Sequence, residues 1–229
     1  MKRLCNVVPW VLCMGLVVSP VAPARAAGGG AEPKPDAAGW YSLFDGKTLD
    51  GWRVGKNAGT FRVQDGVIVV NGPGPAHLFY EGPVQGHRFK NFHLRAEVMT
   101  FPKANSGIYF HTEYQESGWP ARGYEAQVDN THPDPKKTGG LYGVRDVMDH
   151  SPVKDNEWFT YDIIVRGKKI TLKVNGKTTA EYTEPDPPRP PRAMPGRKLS
   201  PTGGTFALQG HDPGSKVYFR DIKVKPLPE

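Results

Sequence analysis

An all-β sandwich or barrel is the fold class that the sequence predicts. Three observations predict it. Helical periodicity is scarce after Trp40, short runs of alternating polar and apolar residues recur, and Gly, Pro, Asn and Asp punctuate them at even intervals. The chain beyond its N-terminal leader, about 200 residues, suits one domain of this class.

In chain order, the expected strands are 41–44, 61–64, 67–70, 77–80, 92–100, 107–113, 124–128, 158–166, 169–174, 177–182, 204–209 and 217–225. Asp65-Gly66 marks a hairpin between the second and third, because Asp-Gly readily takes positive φ. Gly167 and Asn175-Gly176 join residues 158–182 into a meander. Residues 43–52 carry two Asp-Gly turns and read as structural, packed by Trp52. No internal repeat is visible. Two long stretches, 131–156 and 184–203, read as irregular. The first holds His132, Lys136, Tyr142, Arg145, Asp146 and His150, and the second is crowded with Pro and Arg. Loops of that length are functional sites or surface excursions.

The N-terminus reads as an export leader over residues 1–26. Lys2 and Arg3 precede a short apolar run, Pro20 and Pro23 break it, and Ala24-Arg25-Ala26 is a small-residue cleavage site. The run is too short to span a bilayer, which takes about 20 residues, and no later stretch qualifies. Cys13 raises the rival reading of a lipoprotein. Leu12 precedes it, however, where a lipidation signal needs a small residue. The expected mature protein is periplasmic or extracellular, with a Gly/Ala/Pro linker at 27–38 and one domain at 39–226.

Both cysteines, Cys5 and Cys13, fall in the leader. The mature chain therefore has no disulfide, no thiol nucleophile and no cysteine metal site. It must rely on a hydrophobic core in an oxidising compartment. Loss of Lys2, Arg3 and Arg25 lowers the net charge from +7 to +4. That excess lacks the dense basic stripe that nucleic acid requires.

The stretch from Asn105 to Asp129 carries the functional signal. Side chains alternate between faces along a strand. Ile108 and Phe110 then share one face, and Asn105, Tyr109, His111 and Glu113 the other. In the next strand Ala126 and Val128 oppose Glu125, Gln127 and Asp129. A face of acids, amides, an imidazole and a phenol suits a polar ligand better than plain solvent. Arg95 and Glu97, on a strand that buries Phe92, Leu94, Ala96 and Val98, are expected to continue this face, whereas His93 reads as a solvated partner. Gln209 and His211 end a strand on the polar parity. Gly210 permits close approach, and Asp212 could orient the His211 imidazole as a His–carboxylate pair, although Asp212, Pro213 and Gly214 read first as a turn.

Several motifs recur together and in order: Leu43-Phe-Asp-Gly-Lys-Thr-Leu-Asp-Gly-Trp52, Phe92-His-Leu-Arg-Ala-Glu97, Ala104-Asn-Ser-Gly-Ile-Tyr109, Gly123-Tyr-Glu-Ala-Gln-Val-Asp129, Thr138-Gly-Gly-Leu-Tyr142, Glu157-Trp158, Val174-Asn-Gly176, Leu208-Gln-Gly-His211 and Val217-Tyr-Phe-Arg-Asp-Ile222. In this the chain resembles the 3-keto-disaccharide hydrolase domain family, from about Gly39 to Pro226. The resemblance implies a concanavalin-like jelly-roll β-sandwich and activity on glycosides already oxidised at C3. It also implies functional coupling to a sugar 3-oxidoreductase. Many relatives carry Arg where this chain has His111, and the Pro-rich loop looks like a local elaboration.

A C3 ketone acidifies the C2 proton. The implied route is therefore proton abstraction, loss of the C1 substituent and addition of water, without the paired carboxylates of ordinary glycosidases. Glu125 and His211 are the candidate acid and base. Arg95 would supply positive charge. Asn105, Gln127 and Gln209 would bond hydroxyls or the enediolate, with Tyr109, His111 and Asp129 also on the binding face, and Tyr142 or Trp119 would stack on the sugar. His111, Glu113, Glu125 and Asp129 could alternatively hold a divalent cation, although no ligand-spacing motif marks such a site. The competing class is a non-catalytic carbohydrate-binding module, followed by a structural or adhesive envelope protein.

Overall fold

The computed structural model describes residues 32–229, so the expected leader and the start of the linker lie outside the described residues. Residues 32–38 are exposed, and the Asp36 carboxylate closes a turn by accepting from the Ala38 and Trp40 amides.

The strands are β1 Tyr41–Ser42, β2 Trp52–Val54, β3 Phe61–Gln64, β4 Val67–Val70, β5 Ala76–Tyr80, β6 Phe92–Thr100, β7 Asn105–Thr112 and β8 Tyr124–Asp129. They continue as β9 Lys136–Leu141, β10 Arg145–Met148, β11 Phe159–Arg166, β12 Lys169–Val174, β13 Lys177–Thr183, β14 Thr205–Gly210 and β15 Val217–Pro226. One sheet runs β13-β12-β11-β6-β15-β4-β3, with β1 also on β15, and the other runs β10-β9-β8-β7-β14-β5-β2. Their antiparallel pairing gives the expected jelly-roll sandwich.

The core lies between the sheets. Leu94, Ala96 and Val98 on β6 meet Ile108 and Phe110 on β7, Val128 on β8 and Phe206 and Leu208 on β14 in one cluster. Burying such side chains contributes roughly 1.5–3 kcal/mol each. The expected hairpins form where left-handed residues allow them, at Asp65-Gly66 and Asn175-Gly176. Trp52 donates its indole proton to the Leu43 carbonyl at 2.7 Å and so anchors its turn.

Two departures from the sequence reading have physical causes. The stretch 131–156 is not irregular throughout, because it contains β9 and β10. β9 lacks apolar alternation. It is held instead by Lys137, which is buried against Asp129 at 3.1 Å, and by Gly139, where a Cβ would sit 2.7 Å from the Thr179 hydroxyl.

The second departure is a bulge in β7. Thr112 pairs with Thr205 and Tyr109 with Ala207, so β7 carries one residue more than β14 over this interval. His111 sits there at φ 55°, and the alternation slips. Its ring turns toward Phe92, with centroids 5.9 Å apart. The Ser200 amide donates to Nδ1 at 3.1 Å, so the ring proton sits on Nε2, which donates to the Lys90 carbonyl at 3.0 Å.

Burial drives the His111 imidazole down to about 4, against the pull of the Lys90 and Ser200 backbone. A depressed native value means that the unfolded chain takes up a proton first, so this share of stability is present above pH 6.5 and lost as the pH falls toward 4. Substitution His111→Asn removes it. Urea denaturation should show the wild-type advantage over the variant narrowing by about 2–3 kcal/mol between pH 7.5 and 4.5. A constant gap would show that the imidazole is not held neutral.

Candidate active site

Strand register assembles the site on the outer face of the second sheet. Tyr109 lies opposite Glu125, Gly107 opposite Gln127 and Asn105 opposite Asp129 across β7 and β8. On the other side, Ala207 pairs with both Tyr109 and Phe79, and Gln209 pairs with His77. One row across the sheet therefore reads Phe79, Ala207, Tyr109, Glu125, with Gln209 and Gln127 one step along. Gly107 makes room for this arrangement, since a Cβ there would lie 2.5 Å from Glu125 Oε1.

Loops wall this face into a cleft of about 450 Å³. Trp119 to Ala121 come from the β7–β8 connection, Tyr142 from the β9–β10 turn and Ala193 to Arg197 from the Pro-rich loop. That loop is pinned at several points. The Gly123 amide donates to the Gly196 carbonyl at 3.0 Å. The Leu199 amide and the Tyr124 hydroxyl both donate to the Glu184 carboxylate, at 2.8 and 2.6 Å. A Cβ at Gly196 would sit 1.7 Å from the Ala121 carbonyl oxygen, so only glycine lets the loop approach.

The loop delivers Arg197, the functional side chain that sequence reasoning missed. Arg197 Nη2 donates to Glu125 Oε2 at 2.7 Å, and its guanidinium lies 5.1 Å from the Tyr109 ring centroid. Gln209 Nε2 donates to Glu125 Oε1 at 2.7 Å and to the Tyr109 hydroxyl at 3.2 Å. Gln127 Nε2 donates to Asn105 Oδ1 and to the Lys136 carbonyl. After these bonds, Oε1 of Gln127, Oε1 of Gln209, and Nε and Nη1 of Arg197 have no protein partner although they are buried. Buried polar atoms are nearly always bonded, so a floor with four unmet atoms suits a ligand rich in hydroxyl and carbonyl groups.

Burial pushes the Glu125 carboxyl above its ordinary value, opposed by Arg197, Tyr109 and Gln209. Burial raises the Tyr109 phenol as well, assisted by Glu125. His77, the strand partner of Gln209 on the same face, is driven down to about 3, first by burial and then by the charges of His211 and Arg197. His211 ends β14 at the rim of the cleft. Its Nδ1 is 2.8 Å from Asp212 Oδ2, and its ring centroid is 5.2 Å from that of the half-exposed Trp119.

Of the residues singled out from sequence, Asn105, Tyr109, Glu125, Gln127, Tyr142, Gln209 and His211 line this one cleft, and so does Trp119. The others do not. Arg95 and Glu97 are on β6 of the other sheet, where Arg95 Nε donates to Asp162 at 2.6 Å and Glu97 accepts from the Thr160 hydroxyl at 2.6 Å, so strand parity alone could not place them. His111 is turned away by the bulge. Asp129, opposite Asn105 on the same face but outside the cleft, is fully buried on Lys137, and burial raises its carboxyl to about 6 against the pull of that ammonium. Asp212 is more than a turn residue. It caps the turn by accepting from the Gly214 amide and also engages His211.

The alternative cation set of His111, Glu113, Glu125 and Asp129 is not assembled, since Glu113 is exposed on Arg122 and His111 points elsewhere. Another set, His132, His211 and Asp212, brings one ligand atom each within 4.8 Å of one another. These residues do not fit a cation as they stand. His132 Nδ1 accepts from the Asp134 amide at 3.1 Å, which places the neutral ring's proton on Nε2, the nitrogen nearest Asp212.

Fold and cleft together define a jelly-roll sandwich with a polar ligand site on one sheet face. Residues 39–225 match the profile of the 3-keto-alpha-glucoside-1,2-lyase-like domain, and the chain belongs to this family. It is 27% identical over 236 residues to the 3-keto-disaccharide hydrolase of Bacteroides thetaiotaomicron, covering 84% of this chain and 80% of that one. Its fold is similar to that of a provisionally named glycosyl hydrolase from Parabacteroides distasonis, with a TM-score of 0.70 at 24% identity over 84% of this chain and 95% of that one. It is also similar in fold to carbohydrate-binding module CBM66 from Bacillus subtilis, with a TM-score of 0.50 at 11% identity over 76% and 94% of the two chains.

The Glu125–Arg197 pair has a measurable signature. Removing one partner of a buried pair costs about 3–5 kcal/mol because the other charge is left uncompensated. Arg197→Met should destabilise by that order at pH 8, where ionised Glu125 is stranded, and by less at pH 5, where Glu125 can hold a proton. Adding Glu125→Gln to Arg197→Met should recover much of the loss in urea denaturation. Additive losses would mean that the pair is not coupled.

Proposed function

We propose that this protein cleaves 3-keto-disaccharides or related 3-keto-glycosides by proton abstraction at C2, elimination and hydration. The observation that carries this reading is the chemistry lining the cleft. Among the described residues that line it, Glu125 is the only carboxylate, and both its oxygens are bonded. His211 keeps one ring nitrogen without a protein partner. Ordinary glycosidases need two carboxylates across the scissile bond. One tied carboxylate and one free imidazole suit an acidified carbon–hydrogen bond instead. Family membership and the name of the Bacteroides relative support the same substrate class.

His211 removes the C2 proton, and the electron pair moves into the C2–C3 bond as the ketone oxygen gains charge. Arg197, whose Nε and Nη1 have no protein partner, is the nearby group that can meet that oxyanion, and Glu125 holds it in place. The enediolate then expels the C1 substituent, which leaves as an alcohol once protonated. Water adds at C1 and a proton returns to C2, which gives net hydrolysis. A sugar 3-oxidoreductase must supply the keto substrate. Trp119, exposed beside His211, offers a stacking surface for the ring.

Glu125→Gln and His211→Ala should each lower cleavage of 3-keto-trehalose or 3-keto-lactose by on the order of 10²–10⁴, with far-ultraviolet circular dichroism unchanged. In deuterated water, deuterium should appear at C2 of product or recovered substrate. Equal activity on the unoxidised sugar would overturn the reading in favour of an ordinary glycosidase. Tight binding without turnover would favour a carbohydrate-binding module, to which the fold and Trp119 would also be suited.

Export belongs to the same proposal. Mass spectrometry of the protein from a secreting host should find an N-terminus at Ala27, after a leader of residues 1–26. Retention of Met1, or lipid on Cys13, would refute it.

A further inference from the structure

Asp212 sits where the network behind His211 converges. Its Oδ2 is 2.8 Å from His211 Nδ1 and accepts from the Ser215 hydroxyl at 2.6 Å, and its Oδ1 accepts from the Gly214 amide at 2.8 Å. Ser215 is itself buried and fixed, because its oxygen accepts from the Asn105 amide at 2.9 Å. His132 Nε2 faces the same Oδ2 at 3.7 Å, and the two imidazole rings lie 5.5 Å apart. Burial raises the Asp212 carboxyl, but bonds from Ser215, His211 and Gly214 outweigh it and the net shift is downward. The group is therefore an ionised acceptor at neutral pH. A carboxylate that only accepts requires the neighbouring imidazole to donate, so His211 carries its proton on Nδ1.

We propose that Asp212, clamped by Ser215 and flanked by His132, is the positioning residue that holds His211 as the Nδ1–H tautomer with Nε2 free to act as the base. This rests on the reading of His211 as the group that deprotonates C2. In that step the C2–H bond breaks, its electron pair enters the C2–C3 bond, and the proton goes to His211 Nε2. The ring becomes an imidazolium, and the negative charge of Asp212 stabilises it. His132 cannot replace His211 as base, because its Nδ1 is occupied by the Asp134 amide and its Nε2 holds the proton.

Asp212→Asn tests the assignment, because an asparagine keeps the size and reverses the hydrogen bond. The Gly214 amide still needs an acceptor, so the side-chain oxygen stays at that position. The new NH₂ then faces His211 and donates to Nδ1, which moves the ring proton to Nε2. Long-range ¹H–¹⁵N correlation of the ¹⁵N-histidine-labelled full protein reads the tautomer directly. The expected result is Nδ1–H for His211 in the wild type and Nε2–H in Asp212→Asn, with kcat on a 3-keto-disaccharide falling on the order of 10²–10⁴ and KM changed by less than about threefold. An Nε2–H tautomer in the wild type would overturn the proposal without any variant. So would an unchanged tautomer, or kcat within threefold of wild type, in a folded Asp212→Asn. If both tautomers are as expected but the wild type does not cleave 3-keto sugars, the positioning of His211 stands and the proposed reaction fails.

Discussion

The ion pair between Glu125 and Arg197 is the constraint on which the cleft depends. A carboxylate placed on the outer face of β8 and then covered by a loop would be strongly disfavoured without compensation. The covering loop brings that compensation with it, because Arg197 reaches Glu125 at 2.7 Å while Gln209 supplies the second bond at 2.7 Å. Loop position and floor electrostatics thus become one variable. Two glycines follow from the pair. Gly107 vacates the space that the Glu125 side chain uses, and Gly196 lets the loop lie against the Ala121 carbonyl.

Much of this was legible in the sequence, and the boundary of what was legible is physical. Strand parity is a local rule, so it located Asn105, Tyr109, Glu125 and Gln127 on one face and put Ile108, Phe110 and Val128 in the core. It fails where the backbone adds a residue, as at His111, whose positive φ leaves no mark in composition. It is also silent on which sheet a strand joins. Arg95 alternates correctly along β6 but faces away on the other sheet. Arg197 could not be found by periodicity, since it lies in a Pro-rich loop and meets Glu125 across 72 residues of chain. The density of Pro and Arg in that loop was the available signal. Asp212 was misweighed because a residue that caps a turn can also orient an imidazole.

The sandwich itself does not decide between binding and catalysis, since the same architecture serves a carbohydrate-binding module. The difference lies in what the floor contains. A binding surface can rely on exposed aromatics and rim hydrogen bonds, which cost little when unoccupied. Here Arg197, Glu125, Gln127 and Gln209 are all buried, and three of the four keep polar atoms without partners. Holding a buried charge and unmet polar groups ready before a ligand arrives is unfavourable for stability. Under the proposed reaction it is the preorganisation that would stabilise developing charge in a transition state.

The imidazoles sharpen this argument. His77 is buried and held neutral, with its ring packed edge-on against Tyr109 and Trp119 and its Nε2 unpartnered. His111 uses both ring nitrogens to bind backbone and is driven down to about 4. His93 is committed to Asp162 on the far sheet at 2.7 Å. His132 accepts from the backbone on one nitrogen and holds its proton on the other. Each of these rings is removed from proton transfer by burial, by hydrogen bonding or by location. Of these rings only His211 lines the cleft. It is partly exposed at the cleft rim, it is bonded on one edge to an ionised carboxylate, and among the described residues its other nitrogen has no partner. A base that must reach a carbon-bound proton needs that combination of access, fixed tautomer and a counter-charge for the cation it becomes.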